Sequence, residues 1–124
     1  MKENNSKKGI KNEKEEVNWD AKKNKSLVQA FLSLESADET RRFLRDLMTA
    51  PEIKEFSNRL EAARLLTKDV QYNAIIESTG LSSATIARIT KWLKGPLGGY
   101  RLVLNKLQHT HSQNSVGKGL SLRS

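Results

Sequence analysis

The 124-residue sequence contains no cysteine. That excludes a disulfide scaffold, a cysteine nucleophile and any Cys-based zinc site. Aromatic residues are scarce, with two Trp, two Tyr and three Phe, which leaves little surface for stacking unpaired bases. No apolar run approaches the ~20 residues needed to span a bilayer, and the first residues lack the ~7–15-residue apolar stretch of a secretory signal. A cytoplasmic protein without a membrane partner is therefore expected. Histidine is limited to His109 and His111, too few ligands to fix a metal. Gly95, Gly98 and Gly99 lack the Gly-Lys-Ser/Thr ending of a phosphate-cradling loop. Glu35, Asp38, Glu39, Glu52 and Glu55 fall where helices are expected to start, and there carboxylates favour the positive end of the helix dipole. Neither an enzyme nor a bound metal or cofactor is expected.

What is present is positive charge, unevenly spread. The formal net charge is +8. Residues 1–26 carry eight Lys and five acids, residues 27–79 seven bases and nine acids, and residues 80–124 seven bases and no acid. The last carboxylate is Glu77. A stretch of that kind repels itself unless it meets anions, so an anionic partner is the economical reading. Nucleic acid is the commonest such partner, an anionic membrane surface is the rival, and a solubilising charge excess is the plain alternative.

One folded domain is expected at this length. Residues 1–25 are Lys, Glu and Asn with little apolar content, and read as a disordered basic arm. Residues 109–124 read as a flexible tail. Between them, over 26–108, the apolar period is helical throughout. Leu27, Phe31 and Leu34 recur at helical spacing, widened by Val28 and Leu32. Ser36-Ala-Asp-Glu39 is a capping box, and Phe43, Leu44, Leu47 and Met48 form the buried face expected of the next helix. Thr49-Ala-Pro-Glu52 opens another, with a stripe of Ile53, Phe56, Leu60, Ala63 and Leu66. Beyond Gly98-Gly99, Tyr100, Val103, Leu104 and Leu107 form the last. The class is all-α with about six short helices. Several stripes are too wide for short helices to bury alone, which predicts dimerisation.

The most informative stretch is Tyr72–Leu93. A short helix ending at Thr79 precedes Gly80, whose access to positive φ suits a tight turn. Leu81 is an apolar plug, Ser82 or Ser83 is an N-cap, and a second helix follows. Ile75, Leu81, Ile86 and Ile89 fall where the two helices pack on each other. Ser83, Ala84, Thr85, Ala87, Arg88 and Lys91 are left on the outer face. Small and hydroxylated side chains there allow approach to base edges in the major groove, and Arg88 and Lys91 reach phosphate or guanine. This is a helix-turn-helix pattern, with one departure: Ile76 stands four residues before the glycine, where a small residue is usual. The plain alternative is an ordinary αα-hairpin.

The run Leu27–Leu107 resembles the Trp repressor superfamily, and more closely its YerC/YecD-type branch of Trp-repressor-like proteins. The match is carried by FLSLESADETRRFLRDLMTAPEI, NRLEAARLL, TGLSSATIARI and GGYRLVLNKL. The resemblance implies a six-helix intertwined homodimer that presents two helix-turn-helix units to double-stranded DNA. It further implies a cytoplasmic, nucleoid-associated transcriptional regulator, a repressor. Ser82, Ser83, Ala84, Thr85, Ala87 and Arg88 match the recognition stretch, and Gln71 and Tyr72 match positions near the DNA backbone. Lys91, Lys94 and Arg101 are expected to add phosphate contacts. Arg59 and Arg88 stand where two arginines sandwich the indole in tryptophan-responsive members. Ile89 and Trp92, however, replace a glycine and a serine there. Both changes are expected to fill the cavity, which argues against L-tryptophan as corepressor. Trp92 reads first as a core aromatic and otherwise as the occupant of that pocket. The rival functions are an RNA-binding regulator and a helical protein-interaction module that does not touch operator DNA.

Overall fold

The computed structural model describes residues 16–116, with side chains from 16 to 110. Within them lie six helices and no strand: α1 (Lys22–Leu32), α2 (Ala37–Leu47), α3 (Ala50–Thr67), α4 (Tyr72–Thr79), α5 (Ser83–Lys94) and α6 (Gly99–Val116). This is the expected all-α class. Most of the arm expected over 1–25 lies outside the described residues, and α1 begins within its last part. Helix α6 continues through His109 to Val116, and the end of the expected tail again lies outside the described residues. The chain divides into two compact units, one through Leu44 and the other from Arg45 onward.

In the first unit Phe31 and Phe43 meet edge to face, with ring centroids 5.4 Å apart. Such pairs align the positive edge of one ring with the negative face of the other. The Ser36 hydroxyl accepts from the Glu39 N–H at 3.0 Å, capping α2. The reciprocal half of the expected capping box is shifted by one residue, because the Glu39 carboxylate accepts from the Glu35 N–H at 2.9 Å. The apolar faces expected to be buried are only partly covered. Phe43, Leu44 and Met48 are half-buried, while Leu27, Val28, Phe31 and Leu47 remain exposed. Neither α1 nor α2 contributes a buried residue. A stripe that is apolar over a third of a short helix needs more cover than one neighbouring helix of the same length can give.

The second unit opens on the expected box at the start of α3. The Glu52 N–H donates to the Thr49 hydroxyl at 3.2 Å, and the Thr49 N–H donates back to the Glu52 carboxylate at 2.9 Å. Pro51 sits in the first turn, where its missing N–H costs nothing. At the other end of α3, Asp69 takes φ 61°, the one non-glycine residue with positive φ among the described residues. The Val70 N–H reaches the Leu65 carbonyl and the Asp69 N–H the Leu66 carbonyl, each at 3.1 Å. That is a Schellman closure, with Val70 and Leu65 both drawn against the core.

The core itself is Ala62 and Ala63 of α3, Ile75 of α4, Leu81 of the turn, and Ile86 and Ile89 of α5. Two adjacent alanines with no exposed surface let α4 and α5 approach α3 closely, since there is no longer side chain to hold the backbones apart. The longer side of the expected α3 stripe is not covered. Phe56 and Leu60 are exposed, because the buried line runs through Ala62 and Ala63 rather than through Leu60. Helix α6 packs on α3 and α5 through Tyr100 and Leu104, both partly buried.

Candidate nucleic-acid interface

Helices α4 and α5 form a helix-turn-helix closed by its own polar groups. Gly80 adopts φ 75° and its N–H donates to the Ile76 carbonyl at 2.8 Å. The Thr79 hydroxyl, nearly buried, donates to the Ile75 carbonyl at 2.7 Å and accepts from the Leu81 N–H at 3.2 Å. The Gly80 and Leu81 N–H groups and the Thr79 hydroxyl are thereby occupied, which matters because an unpaired buried N–H costs as much as a lost hydrogen bond. Leu81 plugs the core at 6% exposure. The bulk of Ile76 is accommodated, since its side chain is partly buried against the core while its carbonyl serves the glycine.

The start of α5 is capped by Ser82, whose hydroxyl accepts from the Thr85 N–H at 3.1 Å and donates to the Thr85 hydroxyl at 3.0 Å. With Ile86, Ile89 and Leu93 turned to the core, the 3.6-residue repeat puts Ser83, Ala84, Ala87, Lys91 and Lys94 on the opposite side. All five are exposed. Thr85 and Arg88 lie at the flank and are half-buried. The exposed face of α5 is therefore narrow, small at its N-terminal end and cationic at its C-terminal end. No acid occurs from Gly80 onward, so every charged side chain on this face is cationic.

Gln71 is the N-cap residue of α4, exposed, and makes no side-chain capping bond. Tyr72 is 39% exposed and also makes a contact between helices. Its hydroxyl is 2.7 Å from that of Thr90, which donates in turn to the Ile86 carbonyl at 2.9 Å. With the Thr90 proton committed, Tyr72 is the donor, and the pair ties the start of α4 to the middle of α5. No local pattern signals a bond between residues eighteen apart, so neither Thr90 nor this clamp was expected from sequence.

On the flank of α5 opposite the small face lies a concavity of about 550 Å³. Arg59, Arg88 and Trp92 all line it, joined by Thr85, Ile89, Tyr100 and the Leu97–Gly99 turn. The Arg59 guanidinium donates to Glu55 at 3.1 Å and stands 5.3 Å from the centre of the Phe56 ring, an arrangement favoured by the ring's negative face. Burial pushes the Tyr100 phenol above its ordinary range, with Arg59 and Arg88 pulling it partly back. Ile89 and Trp92, the two bulky residues noted in the sequence, both line this space. Ile89 is turned into the core, and Trp92 is 41% exposed in a single copy of the chain, one step around the helix from the buried stripe. The lining offers two guanidinium groups beside a mostly apolar wall, a chemistry suited to an anion with an apolar body. Among the described residues no cluster of three or more His, Asp or Glu could hold a metal ion. No helix among them is long and apolar enough to cross a membrane.

The sequence matches the family model described as Trp repressor protein over residues 22–108. It is 36% identical over 89 residues to the uncharacterized protein YerC of Bacillus subtilis (strain 168), covering 72% of this chain and 86% of that protein. Its fold is similar to the crystal structure of a TrpR-like protein from Eubacterium eligens ATCC 27750, with a TM-score of 0.69 and 37% identity. That match covers 73% of this chain and 93% of the other.

Proposed function

The chain belongs to the Trp repressor family, and from that premise we propose that it is a sequence-specific double-stranded-DNA-binding transcriptional regulator. In this reading it is a cytoplasmic, nucleoid-associated repressor that works by occupying a promoter, without chemistry. The observation that carries the proposal is the capped α5 helix with its small exposed N-terminal face, in a stretch of sequence that has no acid from Gly80 onward. Ser83, Ala84 and Ala87 admit the helix to the major groove, where Ser82, Ser83 and Thr85 read base edges directly or through water. Arg88 and Lys91 meet phosphate or guanine, and Gln71 lies toward the backbone.

A homodimer is part of the proposal. Phe56, Leu60, Trp92, Leu102, Val103 and Leu107 are all more than a third exposed, an amount of apolar surface that a second copy would cover. Two recognition helices would then sit one duplex turn apart, roughly 34 Å, which selects a palindromic site. The concavity holding Arg59, Arg88 and Trp92 is the candidate effector pocket in this reading.

Selection of bound duplexes from a random pool, with and without amino acids, tests the proposal. A shared palindromic motif is the expected result, together with a dimer mass in sedimentation. A pool that emerges with no common motif overturns sequence-specific regulation. Tighter capture of structured RNA than of any duplex would favour the RNA-binding alternative.

A further inference from the structure

Resting on the DNA-binding reading, we propose that Arg101 is a positioning residue for the recognition helix and not one of its phosphate contacts. Arg101 stands in the first turn of α6, where there is no acid to balance it. A cation at a helix N-terminus opposes the helix dipole, so the location needs a reason outside α6. The guanidinium supplies it by crossing the turn and donating through Nη1 to the Leu93 carbonyl. That carbonyl is one of the last four of α5, which have no partner within their own helix. The same cation that is misplaced at the start of α6 is well placed at the negative end of α5.

The turn is shaped to admit this contact. Gly98 has φ 67°, and a Cβ built on it would stand 2.8 Å from Arg101 Nη2 and 3.4 Å from Cζ. The guanidinium therefore lies across the bare face of Gly98, in space that any other residue would occupy. The Gly98 carbonyl also accepts the Leu102 N–H at 2.9 Å, the first bond of α6. One glycine thus starts α6 and seats the side chain that fastens α6 to α5. The Tyr72–Thr90 pair holds the middle of α5 to α4. The Arg101–Leu93 clasp holds its C-terminal end, and the two together set the angle at which the exposed face of α5 is presented.

The test compares Arg101→Met, which removes both charge and donor, with Gly98→Ala, which leaves every charge in place but crowds the guanidinium and strains a positive φ. Full-length protein is titrated with the duplex selected by the wild type at several salt concentrations, and amide exchange is followed across residues 95–99. Both variants are expected to bind about fivefold to tenfold more weakly, the fold-change that matches the net contribution of one ordinary hydrogen bond. Both are expected to keep the wild-type salt slope and to exchange faster across the turn. A slope flattened by about one unit in Arg101→Met, with Gly98→Ala binding as wild type, would overturn the proposal and make Arg101 a phosphate contact. Unchanged affinity in both variants would overturn it too. If the wild type selects no duplex, the DNA-binding reading fails and positioning on DNA fails with it. Faster exchange would then still separate a real clasp from a chance contact.

Discussion

Helices α3 and α5 pack on each other through the same core, yet they treat charge in opposite ways. Helix α3 matches its arginines with its own carboxylates. Arg59 bonds Glu55 one turn away at 3.1 Å, and Arg64 bonds Glu61 at 2.7 and 3.0 Å. The Glu61 carboxyl is held below the usual carboxylate range, chiefly by the Arg64 hydrogen bond. Helix α5 has no carboxylate to offer its cations, and neither has anything after it in the chain. Helix α3 thus balances its arginines within itself, whereas the charged residues of α5 and of the chain after it are all cationic. In the proposed reading, that contrast assigns the nucleic-acid contact to α5.

The largest effect expected is on the core the two helices share. Ile86 has no exposed surface, and Ile86→Ala should cost about 2–5 kcal/mol in denaturant unfolding through lost burial and a residual cavity. A loss under about 1 kcal/mol would mean that α5 is not anchored as described. Next comes the charge contrast itself. Lys91→Ala should weaken binding to all duplexes alike and flatten the salt slope by about one unit, whereas Arg64→Ala should leave the slope unchanged. Equal flattening in both would erase the distinction between the helices.

Asp69, where α3 hands over to α4, is held at φ 61°. Glycine has no steric penalty there, so Asp69→Gly should raise stability by roughly 0.5–1 kcal/mol despite its greater freedom when unfolded. Destabilisation instead would show that the Asp69 side chain contributes more than its backbone strain costs. The smallest effect concerns Tyr100, between Arg59 and Arg88 in the concavity. Burial raises its phenol above the ordinary 10.0, so the fold favours the neutral form. Its contribution is intact below pH 10.0 and is lost as pH rises through the raised value. Tyr100→Phe should remove that part of the alkaline decline in Tm while leaving Tm at neutral pH nearly unchanged. An identical alkaline decline in both proteins would assign it to other groups.

How much of this was legible in the sequence depended on how local each signal is. The Thr49–Glu52 box, the positive φ of Gly80, the Leu81 plug and the Ser82 cap each involve residues within three or four positions, and all four are present in the fold. The box at Ser36 was half legible. The Ser36 hydroxyl accepts from the Glu39 N–H as expected, but the Glu39 carboxylate accepts from the N–H one residue earlier. The contacts that fix the bearing of α5 were not legible. Tyr72 meets Thr90 and Arg101 meets Leu93 across turns whose geometry no propensity encodes. Trp92 was half legible for a related reason: its apolar character suggested the core, while in a single copy of the chain its place one step off the Ile86–Ile89–Leu93 line leaves it on the concavity wall. The Phe56 and Leu60 side of α3 reads as core in any periodicity argument, and a single copy of the chain does not cover it.

The central claim is that the acid-free half beginning at Gly80 is the face that meets nucleic acid. Its most direct test is the affinity of the wild-type protein for its selected duplex across a series of salt concentrations. The account predicts that log Kd rises linearly with log salt, by about 0.9 for each phosphate neutralised and so by several units in all. An affinity that does not respond to salt would contradict it.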